Sequence, residues 1–174
     1  MLEERFRPAG SEACWAHQGN SQVTSQDVAD WKAAAGTSSR KRYRLCAHQS
    51  SDSVHEMIIC MDRDTYIRPH LHLDQSESMH IVEGLASLVF FDPQGRIDKK
   101  IQLGPYGSGR VFYHRTGESV YHTLVIESPC LVVHETTAGP HRPEKTVYAS
   151  WAPEEGTPEA ESFMRNLRQE ALQS

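Results

Sequence analysis

The chain has 174 residues, 38% of them hydrophobic, enough for one domain with a sizeable core. Its formal net charge of -5 at pH 7 gives no general electrostatic reason to expect nucleic acid or an anionic membrane as partner. Met1 to Arg7 lack an apolar signal core, no run approaches the roughly 18 apolar residues of a bilayer span, and the four cysteines show no C-x-x-C pairing, which together point to a cytoplasmic protein with reduced thiols.

Residues 1 to about 23 are polar and aperiodic and are expected to be irregular or held only by the rest of the fold. From Thr24 the pattern changes to that of a helix. Thr24 or Ser25 can cap it, Asp27 sits near its positive end, and Val28, Trp31, Ala34 and Ala35 share one face before Gly36. The basic run Ser39 to His48 then turns into a strand that places Arg40, Arg42 and Arg44 on one face, where guanidinium forks suit a carboxylate or phosphate and where the alternative is a solvated edge. Val54 to Met61 reads as a buried strand.

Thr65 to His70 leads into the segment around which the chain is organised, Arg68-Pro69-His70-Leu71-His72-Leu73-Asp74-Gln75-Ser76-Glu77. On a strand His70 and His72 point to the same face, and the short polar turn at Asp74 to Ser76 lets Glu77 return on the next strand. Two imidazoles and a carboxylate suit a borderline divalent ion such as iron, nickel, cobalt, manganese or zinc, and a fourth ligand must come from elsewhere. His80 falls on the opposite face from Glu77 and is left out of the set.

After Gly84, Leu85 to Phe91 reads as a core strand, Asp92-Pro93-Gln94-Gly95 as a turn, and Arg96 to Leu103 as the strand that pairs back. Further short strands are expected at Arg110 to Tyr113, around His122 and over Cys130 to Thr137, a series that suggests an all-β sandwich or barrel. At the end of the chain Thr157 can cap a helix that begins with Pro158, and Ala160, Phe163, Met164, Leu167 and Ala171 form one apolar stripe for packing on the barrel or on a partner subunit.

The pattern H-x-H-x4-E-x6-G from His70 to Gly84 resembles the first motif of the cupin superfamily, a resemblance that implies a double-stranded β-helix, or jelly roll. The superfamily adds a histidine on a later strand, and His122 stands there, with Gly117 and Ser119 in place of the proline and glycine that usually precede it. The flanks narrow the resemblance over residues 24 to 156. Arg42 to His48, Tyr66 to His72, Phe90-Phe91-Asp92 with Gly95, Tyr121-His122-Thr123, His134-Glu135 with Gly139-Pro140, and Ala149 to Glu155 look like the WbuC family of cupin-fold metalloproteins, which is associated with bacterial O-antigen polysaccharide biosynthesis.

The resulting expectation is an N-terminal extension with a short helix over residues 1–40, a cupin β-barrel over 41–153 and a helical tail over 154–174. The metal ligands are His70, His72, Glu77 and His122, and the ion is iron, zinc, nickel or manganese. Arg42, Arg44 and Arg68 supply positive charge for an anionic or carbohydrate-like small molecule, while Glu135 and Tyr113 are the candidate acid and base if they point inward. His48, His55, His114, His134 and His141 read as ordinary polar residues or as residues that support the ligands from behind. The expected activity is metal-dependent isomerisation or epimerisation of a sugar or sugar nucleotide. Iron-dependent dioxygenation and noncatalytic carbohydrate binding are the alternatives, and a homodimer is the expected assembly.

Overall fold

The computed structural model describes residues 5–17, 21–117 and 119–173, so Met1 to Glu4 of the stretch read for an apolar signal core, and Glu118 in the turn before His122, lie outside the described residues. Among the described residues twelve strands and two α-helices follow one another as β1 (Phe6–Pro8), β2 (Ala13–Ala16), α1 (Ser25–Thr37), β3 (Arg42–Cys46), β4 (Val54–Asp62), β5 (His70–His72), β6 (Glu77–Glu83), β7 (Ala86–Phe91), β8 (Ile97–Leu103), β9 (Tyr113–Thr116), β10 (Tyr121–Ile126), β11 (Cys130–Ala138), β12 (Thr146–Tyr148) and α2 (Pro158–Leu172). They build a seven-stranded sheet ordered β1-β2-β3-β4-β11-β6-β9 and a five-stranded sheet ordered β12-β5-β10-β7-β8. Consecutive strands alternate between the two layers through β5, β6, β10 and β11, the winding of a jelly roll. The architecture is a cupin-type β-barrel with flanking helices.

Side-chain parity creates the interior. Met79 and Ile81 of β6, Leu131 and Val133 of β11, Leu88 and Phe90 of β7 and Leu124 and Ile126 of β10 meet between the sheets. Each is the inward member of an alternating pair, and burying one such side chain contributes about 1.5–3 kcal/mol. Two glycines close the corners. Gly84, at φ 89°, ends β6 where a Cβ would come within 2.2 Å of the Cys130 carbonyl oxygen, and Gly95, at φ 85°, turns β7 into β8 beneath the Trp151 ring.

Each outer face is covered by a helix. Thr24 caps α1 through a reciprocal pair in which its hydroxyl accepts from the Asp27 N–H at 3.3 Å and the Asp27 carboxylate accepts from the Thr24 N–H at 2.7 Å. Trp31 and Ala35 then pack on Leu45, Cys60 and Val132. The stripe read at the C-terminus docks as expected, with Ala160, Met164, Leu167 and Ala171 buried against Tyr66, Val89, Phe91 and Val125 of the five-stranded sheet. The four cysteines are free, and three of them are buried among apolar side chains.

Over its described residues the N-terminal segment is strand held by the rest of the fold, the second of the two expectations, and not irregular chain. β1 and β2 form an antiparallel pair, and β2 joins β3 in parallel, so the segment extends the larger sheet. The reason lies in two contacts. Phe6 meets Trp31 edge to face at 5.3 Å between ring centroids, and Arg5 pairs with the buried carboxylate of Asp27. Cys14 and Ala16 alternate inward toward α1, which leaves Trp15 on the barrel side of the sheet.

Candidate metal centre

Three strands bring the polar set together. His70 and His72 lie two residues apart on β5 and so share a face, and β10 pairs with β5 so that His122 stands directly opposite His70. Residues opposite one another in an antiparallel pair share a face. Glu77 opens β6 in the other sheet, on the inward parity of Met79 and Ile81, and therefore points across the barrel at the imidazoles. One ring nitrogen from each of His70, His72 and His122 lies within 4.8 Å of the others. The Glu77 carboxylate meets two of them, with His122 Nε2 2.8 Å from Oε1 and His72 Nε2 3.2 Å from Oε2.

The outer nitrogens are fixed by the surrounding chain. His70 Nδ1 donates to the Arg68 carbonyl at 2.9 Å, His122 Nδ1 donates to the Val120 carbonyl at 2.9 Å, and His72 Nδ1 lies 3.3 Å from the Thr146 hydroxyl. With Nδ1 carrying the proton, a neutral ring presents the Nε2 lone pair. At His122 that lone pair faces a carboxylate oxygen at 2.8 Å. Two acceptors at this distance repel unless a proton or a cation lies between them, and a cluster of three such nitrogens and one carboxylate suits a divalent ion.

The electrostatics agree with that conflict. Burial works against the Glu77 anion, yet the hydrogen bonds to His122 and His72 hold its carboxyl well below the usual range. Burial favours neutral His122, and the Glu77 carboxylate overrides this and raises its pKa. Burial and the neighbouring His122 push His70 down to about 4, so this ring is neutral at physiological pH. Beside the set, the hydroxyl oxygen of Thr116, opposite Glu77 on β9, is buried with no hydrogen-bond partner among the described residues.

The cluster opens into a cavity of about 500 Å³, a size that holds a small metabolite. Its floor is apolar, with Met57, Ile59 and Met61 of β4 and Met79 of β6. Glu135 enters it from β11, cross-strand from Met57 on one side and Met79 on the other. Burial between these apolar neighbours, reinforced by the negative charge of Glu77, pushes the Glu135 carboxyl up to about 8. A larger groove of about 960 Å³ runs between the chain before β3 and the start of α2, lined by Arg40, Tyr66 and Arg168, and contains none of the three histidines.

The structure sorts the other residues read from the sequence. Arg42 and Arg44 line the cavity, and His80 lies outside the cluster, exposed and edge-on to Phe112. Two placements differ. Tyr113 pairs with His80 and shares its outward face, where it is half exposed and its hydroxyl meets Ser78 Oγ at 3.2 Å, so it does not enter the cavity as an acid or base. The Arg68 guanidinium lies over the Tyr148 ring at 5.4 Å and donates to the Ala149 carbonyl at 3.3 Å. What Arg68 gives the cluster is its backbone carbonyl. Sequence reasoning passed over Trp15 and read His48, His55 and His141 only as ordinary or supporting polar residues, and all four line the cavity. The alternation of residues 13–16 was the available signal for Trp15.

Comparison with known proteins adds the fold. A family model described as a domain of unknown function (DUF6016) matches residues 23–103. No curated protein matches the sequence. Among solved structures, a protein of Shewanella oneidensis superposes with a TM-score of 0.54 at 7% identity, over 73% of this chain and 85% of the other. A cupin superfamily protein of Desulfitobacterium hafniense scores 0.44 at 15% identity, over 56% of this chain and 76% of its own. KdgF from Halomonas scores 0.45 at 18% identity, over 59% of this chain and 82% of its own. At 7% identity the likeness to the Shewanella protein concerns the course of the chain and not its chemistry, and the two lower scores add nothing to it. Among the described residues no helix is long and apolar enough to cross a membrane.

Proposed function

We propose that the protein binds a divalent metal through His70, His72, His122 and Glu77 and acts on a small polyhydroxylated metabolite of the sugar or sugar-nucleotide class. The observation that supports this reading is the carboxylate of Glu77 held against two imidazoles whose outer nitrogens are already committed to the chain. When bound, the ion supplies a Lewis acid for a carbonyl or hydroxyl oxygen of the substrate. Four protein donors leave coordination positions for that oxygen on a five- or six-coordinate ion.

The chain's own groups then divide the work. Glu135, a carboxyl raised toward neutrality and facing the cavity, exchanges a proton with the substrate, since a group poised near the working pH serves both as acid and as base. The methionine floor excludes water from the substrate's body. The resemblance of the flanking segments to the WbuC family favours a place in bacterial polysaccharide assembly.

The test is proton exchange. The metal-loaded protein is incubated with a panel of sugar phosphates and sugar nucleotides in deuterated water and followed by proton NMR. Exchange at a carbon-bound position or epimer formation, lost in Glu135→Gln, supports the reading. Oxygen uptake by the iron-loaded protein would replace it with a dioxygenase, and saturable binding without exchange or turnover would replace it with a carbohydrate-binding cupin.

A further inference from the structure

The cavity has a second end, opposite the imidazoles, built on the inner face of the larger sheet. Register fixes which residues face it. Arg42 stands opposite Met61, Arg44 opposite Ile59 and Cys46 opposite Met57, and these β4 residues point into the cavity. In the parallel pairing of β2 with β3, Trp15 is the partner of Cys46, so the indole joins the same face.

Three features of this end point to a ligand. First, Arg44 has no ion pair with a carboxylate among the described residues, whereas Arg40 is held by both oxygens of Glu155 at 2.8 and 2.5 Å. Arg42 shares that same carboxylate only at 3.9 Å, so its charge is only partly neutralised. A guanidinium remains charged at any physiological pH, and beside an apolar floor it favours an anion. Second, Trp15 and His48 form a braced aromatic corner. Their rings meet edge to face at 5.3 Å, and His48 stacks on His55 with 3.9 Å between centroids and 13° between planes. Third, the backbone of Glu56 holds His48 by one ring nitrogen. Nδ1 lies 2.9 Å from the Glu56 carbonyl oxygen and 3.1 Å from the Glu56 nitrogen, so the ring is fixed in place on the cavity wall.

We infer that this end is an anion-recognition subsite, in which Arg44 and Arg42 hold a carboxylate or phosphate group and Trp15 with His48 flank the ring that carries it. The ligand class is an anionic, ring-bearing metabolite. That the same molecule reaches the imidazoles rests on the proposed metal reading, whereas the anion subsite does not.

The experiment titrates the protein as purified with three probes, D-glucuronate, glucose 6-phosphate and uncharged glucose, by calorimetry and tryptophan fluorescence, with metal content measured on the same samples. Wild type is expected to bind at least one charged probe about tenfold or more tightly than glucose, the size of effect a charge-assisted fork supplies. Which charged probe prevails identifies the carboxylate or the phosphate. Arg44→Met should weaken that binding about tenfold, leave glucose unchanged and retain the metal, and Trp15→Leu should weaken both charged probes severalfold. Charged probes that bind no better than glucose, or an Arg44→Met variant that binds them like wild type, would overturn the subsite. A wild type without metal that still binds a charged probe through Arg44 supports the subsite and removes the metal reading instead.

Discussion

Replacing Glu135 by glutamine should stabilise the metal-free protein, and only at high pH. The side chain lies between Met57 and Met79 with Glu77 nearby, and these neighbours raise its carboxyl from 4.5 to about 8. A carboxyl raised in the folded state contributes stability that is fully present below its unfolded pKa and is lost as pH rises toward the folded one. The loss therefore runs from about pH 4.5 to about pH 8 and is complete above it. At about 1.4 kcal/mol for each pH unit the full displacement corresponds to roughly 5 kcal/mol. Glu135 is only partly buried, so solvent screens part of this, and about 2 kcal/mol is the expected gain of Glu135→Gln over wild type at pH 8.5, falling to near zero at pH 4.5. Urea denaturation of both proteins at the two pH values, after chelation of metal, reads the difference directly, because effects common to both proteins cancel. An equal difference at pH 4.5 and pH 8.5 would refute the reasoning.

Other perturbations test the frame around the site. Gly84→Ala forces a side chain into a positive φ and against the Cys130 carbonyl, and should cost about 2–4 kcal/mol, seen as a lower urea midpoint with unchanged slope. Met164→Ala removes the centre of the α2 stripe and should cost about 2–4 kcal/mol, with hydrogen exchange quickening first in α2. Thr24→Ala deletes one half of the α1 cap and should cost about 1 kcal/mol by the same denaturation assay.

Much of the site was legible because strand parity is a two-residue rule. His70 and His72 needed only to be on a strand to share a face, and Glu77 and His80 separated by the same rule once β6 was placed. His122 was harder, because its turn is altered, yet β10 still delivers it opposite His70. The misses arise where orientation depends on partners distant in sequence. Whether Tyr113 looks inward is decided by its pairing with His80, and Arg68 is turned by Tyr148, a residue of β12 that no local pattern connects to it. The N-terminal hairpin escaped because β1 and β2 are short and Cys14 and Ala16 are small. Their strand signal is weak until Phe6 and Arg5 are seen to anchor on α1.

Elemental analysis of freshly purified wild type beside His72→Ala and Glu77→Gln tests the central claim most directly. The account predicts near-stoichiometric iron, zinc, nickel or manganese in wild type, strongly reduced in both variants while their circular dichroism stays native. A wild-type protein that holds no metal after purification and after reloading with each of these ions would contradict it.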